Sequence, residues 1–404
     1  MEADRIVDKY AGMYYTICKD SAPVYRCTGR HDASPAKGAS PGSQAPSALD
    51  YKAETIMKKL LAMVLALMLV LGCTSAFAAV FPATPTVYIG YGAGGGTDTA
   101  VRPVVAAMAD YLGETINCVN MEGANSAVAC DYVLEQAHDG TSMFATGTGG
   151  FSSYPIYAYS TSSWQDWISF HPYSGPAVVF ANKDAGVTNT EELFAYIAAG
   201  NKFGVGAYGN GPHTQFEAIC AAKGAASPEY SLFGSCADTA VGCIAGDVMV
   251  GAGSLSAVID YLNGDMLVPI FVTCADPFEF TGIGVTAPSV VTEVPGTDGI
   301  PNLNETWPIM IPRDTPQEIV DKLVEAFNAA IETDAVKEFA ASKGFNIIGL
   351  TGEEADKFLS YSISGYSWTL FNAGLGEGNP ADFGIPTLEE YDWDTVKTTC
   401  EAYK

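Results

Sequence analysis

From Thr86 onward the chain alternates between two hydrophobic periodicities. Thr86-Val87-Tyr88-Ile89 is a short run of β-formers, and from residue 100 to 112 the apolar positions Val101, Val104, Val105, Met108 and Leu112 recur at helical spacing. The pattern predicts strands over 116–119 and 142–146 with a helix over 128–137 between them, a βαβαβ opening. Further strands are predicted over 177–181, 203–207, 230–233, 248–251 and 267–273, separated by helical segments. Local signals fix three helix starts. Thr188-Asn189-Thr190-Glu191 and Thr351-Gly352-Glu353-Glu354 read as capping boxes, and Thr315-Pro316-Gln317-Glu318 combines a cap, a proline in the first turn and an early glutamate. Pro103 falls inside the first helix, where it removes one backbone bond.

The pattern is of the α/β class and shows no internal repeat. A span of some 320 residues exceeds what one α/β core fills comfortably, so two lobes with a ligand cleft between them are expected.

Upstream the pattern changes twice. Residues 1–56 form a polar stretch rich in Pro, Gly and Ser that cannot bury enough apolar surface to fold, and disorder is expected there. Met57-Lys58-Lys59, an uncharged apolar run from 60 to 72 and the ending Ala76-Phe77-Ala78-Ala79 then make a signal peptide over 57–79, which implies export. Met57 is the expected natural start, with 1–56 a leader translated from upstream. The competing reading is a natural leader followed by a membrane anchor. Val70-Leu71-Gly72-Cys73 resembles a lipobox and makes Cys73 a candidate lipid anchor.

Charge excludes one class of partner. The chain carries 20 Lys+Arg against 46 Asp+Glu, a formal charge of −26, and shows no basic cluster that could displace counterions from nucleic acid. Residues 80–404 hold seven cysteines, with neither a C-x-x-C nor a Cys/His pair at zinc spacing, so no metal site is expected. No cofactor is implied.

The chemistry concentrates in glycine loops that join a strand to a helix. Gly90-Tyr91-Gly92-Ala93-Gly94-Gly95-Gly96-Thr97-Asp98 is the first, and Gly204-Val205-Gly206-Ala207-Tyr208-Gly209-Asn210-Gly211-Pro212-His213 the second. Glycine lets backbone approach a ligand, and the free amides of a helix start attract an anion. A third turn, 147–150, follows the strand ending at 146 and belongs at the same sheet edge. Each loop also reads as a plain tight turn. Gly90, Gly92 and Gly95 satisfy G-x-G-x-x-G, but the first acidic residue after the second strand is Glu122, too far along for a dinucleotide fingerprint.

Four segments in register resemble a known family. Tyr91 to Arg102 (YGAGGGTDTAVR), the Asp139-Gly140 turn, Tyr208-Gly209-Asn210-Gly211 with His213 and Glu217, and Pro312-Arg313-Asp314-Thr315-Pro316 are similar to the extracytoplasmic receptors of tripartite tricarboxylate transporters, the Bug family. The resemblance spans roughly 86–375. It implies a two-lobed, periplasmic-binding-protein-like (Venus flytrap) α/β fold, each lobe a mainly parallel sheet flanked by helices, with lobe 1 over 86–182 and 274–375, lobe 2 over 183–273, joined by crossing strands at 178–182 and 270–273. Residues 376–404 are expected to form a tail packed on lobe 1.

The same resemblance implies a monomeric receptor that captures a small organic carboxylate and passes it to the permease subunits of a tripartite transporter. Carried over by position, Tyr91, Gly95, Gly96, Thr97 and Asp98 would line one wall, Thr148 and Gly149 the floor, and Ala207, Tyr208, Gly209, Asn210 and His213 the other wall. Gly253-Ser254 stands where the family often has a polar pair, which adds Ser254 and leaves the solute unspecified. Residues 80–404 hold two arginines, Arg102 and Arg313. Arg102 is the one nearby candidate for a carboxylate, though a surface or interlobe pair is its commoner role, and an anionic ligand otherwise needs oriented amides and helix N-termini to outweigh the distributed negative charge.

An enzyme is not indicated. The lone G-x-S-x-G match, Gly38 to Gly42, falls in the leader, and His138 and His171 have no evident nucleophile partner. Apart from the transport receptor, two readings remain: a ligand sensor for a membrane kinase and an extracytoplasmic hydrolase.

Overall fold

The computed structural model describes residues 80–297 and 303–404; the leader, the signal segment and Cys73 lie outside them. The first half is built from β1 (Thr86–Ile89), α1 (Gly96–Leu112), β2 (Asn117–Asn120), α2 (Ala127–Leu134), β3 (Ser142–Ala145) and the short α3 (Thr148–Ser152). β1 lies between β2 and β3, parallel to both, as strands joined by β-α-β crossovers are.

A long strand, β4 (Trp167–Asn182), then runs through both halves of the sheet. The chain continues with α4 (Thr190–Ala198), β5 (Phe203–Val205), α5 (Gly211–Lys223), β6 (Tyr230–Leu232), α6 (Cys236–Ala245), β7 (Val250–Ser254), α7 (Leu255–Asn263) and β8 (Leu267–Val272). A hairpin of β9 (Phe278–Phe280) and β10 (Val285–Ala287) follows. β11 (Asn304–Thr306) and β12 (Ile309–Pro312) lead back to α8 (Gln317–Ile331), α9 (Asp334–Lys343), β13 (Asn346–Leu350) and α10 (Gly352–Asn372).

The sheet order is β2-β1-β3-β12-β4-β7-β5-β6, with β8, β11 and β13 also paired to β4. Register along β4 divides its partners. Residues 167–170 pair with β12, 171–176 with β13 and β11, and 177–182 with β7 and β8. β4 is buried along nearly its whole length, so it lacks the polar alternation of a half-exposed strand.

Separate apolar clusters fill the two ends. Val101, Val104, Val105 and Met108 of α1 pack with Leu323, Phe327 and Ala330 of α8 over β1 and β12. At the other end Leu193, Phe203, Phe216, Ile219, Val250 and Phe271 form one cluster, and Val178, Phe180, Val258, Leu262, Phe280 and Ala287 a second. Residues 376–404 form short helical turns. Trp393 packs at a tilt against Trp164, and the Tyr403 hydroxyl donates to Asp356 at 2.9 Å. Among the described residues no helix is long and apolar enough to cross a membrane.

Candidate functional site

Among the described residues six strands end in loops that open helices, each at the carboxyl end of its own strand, where α/β sheets bind ligands. β1–β3 run opposite to β5–β7, so the two sets of loops come from opposite directions. The first runs from Gly90 to Gly95, an extended N-cap with no side-chain cap bond, so α1 begins at Gly96 and not at 100 as the periodicity predicts. Asp98 holds this loop. Its carboxylate accepts the Gly94 amide at 3.0 Å, Arg102 Nε at 2.7 Å and Asn120 Nδ2 at 2.9 Å. Burial alone would raise the Asp98 carboxyl, but those bonds, led by Arg102, leave it below the usual carboxylate range. Asp98 and Arg102 therefore face each other, away from the cleft.

The second glycine loop lies opposite. Gly209 is left-handed (φ 78°), and Asn210 caps α5 by accepting the His213 amide at 3.0 Å. His213 is fully buried. Its Nδ1 accepts the Gly209 amide at 3.0 Å, its ring meets Tyr208 and Tyr230 edge-on, and burial pushes it down to about 3, so it stays neutral.

The loops share one crevice. A methyl group on Gly149 would fall 2.5 Å from the Gly211 Cα, so the floor turn and the second loop touch, and Gly95, Gly96, Thr97, Asn210, Pro212, Ser235, Cys236 and Ser254 surround one small compartment of about 20 Å³. Tyr91 and Gly234 border both this compartment and an outer one of about 280 Å³, lined also by Glu122, Gly123, Asn125 and Ala207. The segment 124–126 holds three consecutive left-handed residues, Ala124, Asn125 and Ser126, at φ 45°, 51° and 80°. Asn125 accepts the Tyr91 hydroxyl at 2.8 Å and so ties this segment to the first loop.

Of the residues expected at the site, Tyr91, Gly95, Gly96, Thr97, Ala207, Asn210 and Ser254 border these compartments. Gly149 lines neither; its amide donates to Glu305, which borders the inner one. Thr148 is buried below, its hydroxyl accepting the Thr306 amide at 3.2 Å. Tyr208, Gly209 and His213 belong to the second loop but border neither compartment.

The group that sequence reasoning missed is Glu305, on β11. It is 5% exposed and borders the inner compartment. Its carboxylate accepts the Gly149 amide at 3.3 Å, the Gly211 amide and the Ser254 hydroxyl, which is free because Ser254 makes no cap bond on α7. Burial pushes Glu305 up to about 7 against those bonds. One sequence signal was available: Glu305 lies two residues before Trp307 and so shares the face of a buried tryptophan in an extended segment.

Amide ends therefore line the inner compartment. The first turns of α1 and α6 present N–H groups that lack intrahelical acceptors, and each carries the positive end of a helix dipole, while α5 donates its Gly211 amide to Glu305 and its His213 amide to Asn210. Among the described lining residues there is neither Lys nor Arg. Such a site can hold an anion through backbone alone. Residues 100–364 match the profile of the tripartite tricarboxylate transporter family receptor. The chain belongs to this family.

The relatives agree. BugT of Bordetella pertussis is 22% identical over 306 residues, covering 73% of this chain and 90% of that protein. Among solved structures, the periplasmic binding protein BugD superposes with a TM-score of 0.66 at 18% identity over 73% of this chain and 99% of its own. Rpa4515 of R. palustris with adipate does so at 0.65 and 20% identity, over 72% and 98%, and MatC of Rhodopseudomonas palustris with bound malate at 0.64 and 18%, over 72% and 100%. The fold is the two-lobed periplasmic-binding-protein fold, and the family is one of transport receptors, not enzymes. Among the described residues no three potential metal ligands cluster, and all seven cysteines are free thiols.

Proposed function

We propose that the chain is an exported receptor that captures a small organic carboxylate in the cleft between its two lobes and delivers it to the permease subunits of a tripartite transporter. The observation that carries this reading is the convergence of helix N-termini on a compartment without side-chain cations. The solved relatives bound to adipate and malate support it. The inner compartment is barely larger than one water, so a solute enters by opening of the lobes and is enclosed when they close. The closed pair presents one composite surface, which is what a permease would read.

A thermal-shift screen of mono-, di- and tricarboxylates on the purified protein tests the reading. Free ligand at 100 times its dissociation constant adds about 2.7 kcal/mol, a rise of roughly 5 °C or more at this size. No shift from any carboxylate at millimolar concentration would refute it.

A further inference from the structure

Two carboxylates border the cleft. Glu305 stands in the wall of the inner compartment and Glu122 in that of the outer one, while Arg102 is turned to Asp98 and Asn120, and Arg313 to Asp356. Glu305 cannot turn away. Methyl groups on Gly147 and Gly211 would each fall 2.3 Å from its carboxyl oxygens, so glycines pack closely around the head group. Its partners, the Gly149 and Gly211 amides and the Ser254 hydroxyl, are neutral donors. A buried carboxylate so placed is costly until a cation meets it.

The amide ends of α1 and α6 border the same compartment. The cleft thus offers positive dipole ends on one side and an anion on the other. A ligand that satisfies both carries both charges. A plain dicarboxylate would set a second anion against Glu305 with no side-chain cation to separate them.

We infer that Glu305 determines specificity, and that the site takes a small carboxylate bearing a primary ammonium group, its carboxylate on the amide ends of α1 and α6 and its ammonium on Glu305. This rests on the carboxylate reading above and narrows it.

The test pairs each of the proteinogenic amino acids with its 2-deaminated counterpart, such as glutamate with glutarate and leucine with 4-methylpentanoate, in titration calorimetry at pH 8. At least one amino acid is expected to bind about tenfold or more tighter than its counterpart, and Glu305→Gln, which keeps the shape, is expected to reduce that preference to within about threefold. If carboxylates bind but no amino acid outperforms its counterpart, the inference falls and the carboxylate reading stands. An undiminished preference in Glu305→Gln also overturns it. If no carboxylate binds at all, both fall. Should the variant not fold, the wild-type pairs decide alone.

Discussion

Glu305 and Gly211 share one space: a methyl group on Gly211 would lie 2.3 Å from the Glu305 carboxyl carbon. β11 supplies the carboxylate and α5 the glycine, so this contact joins β11 to the second glycine loop.

The first prediction follows from that overlap. Gly211→Ala should destabilise the protein by about 1–3 kcal/mol in urea denaturation, although alanine is the better helix former. In a Glu305→Ala background the same substitution should be nearly neutral, giving a coupling of about 1–3 kcal/mol. Additive effects would mean the two residues do not meet.

Stability should depend on pH through Glu305. Burial lifts its carboxyl from 4.5 to about 7. Between those values the folded chain holds a proton that the unfolded chain has released, so stability falls as pH rises through the window and levels off above it. Tyr91, Tyr366 and Cys236, which face it, are held neutral by their own burial. Glu305→Gln removes the effect. Its stability relative to wild type should grow by on the order of 3 kcal/mol from pH 4.5 to 8. Parallel pH curves for the two proteins would contradict this.

The first loop depends on Asp98. Asp98→Ala frees the Gly94 amide, Arg102 and Asn120 together, and should cost about 1–3 kcal/mol. Because the loop carries Gly95 and Gly96, ligand affinity should fall as well. Hydrogen exchange at residues 92–97 would register the loosening, and unchanged exchange would show that the loop is held otherwise.

The tail is clamped at Asp356, which pairs with Arg313 at 2.6 Å and accepts the Tyr403 hydroxyl. Asp356→Ala leaves a largely buried guanidinium unpaired and should cost about 3–5 kcal/mol. Tyr403→Phe should cost roughly 1 kcal/mol or less. Denaturant midpoints distinguish the two.

Much of the first half was legible because its elements obey local rules. The strand 86–89 and the apolar face of α1 follow from side-chain period alone. Other boundaries moved for tertiary reasons. β4 reads from the sequence as a strand over 177–181, but extends back to Trp167 because β11, β12 and β13 bury Ser169, His171 and Tyr173. His171, hydrogen-bonded there to Ser169 and Thr306, is a core histidine. The glycine loops that border the compartment were legible, since glycine and helix starts are sequence signals. Glu305 did not declare itself, because its role depends on Gly149 and Gly211, distant in sequence, arriving beside it.

The central claim is that backbone amides at the start of α1 and α6 hold a carboxylate. A methyl group on Gly96 would lie 2.8 Å from Ser254 Oγ and 3.3 Å from Trp307 Nε1, inside the compartment. The most direct measurement is therefore calorimetric titration of wild type and Gly96→Ala with whichever carboxylate gives the largest thermal shift. The account predicts that the variant keeps its ligand-free melting temperature within a few degrees and loses affinity about 100-fold. Equal binding by the two proteins would contradict it.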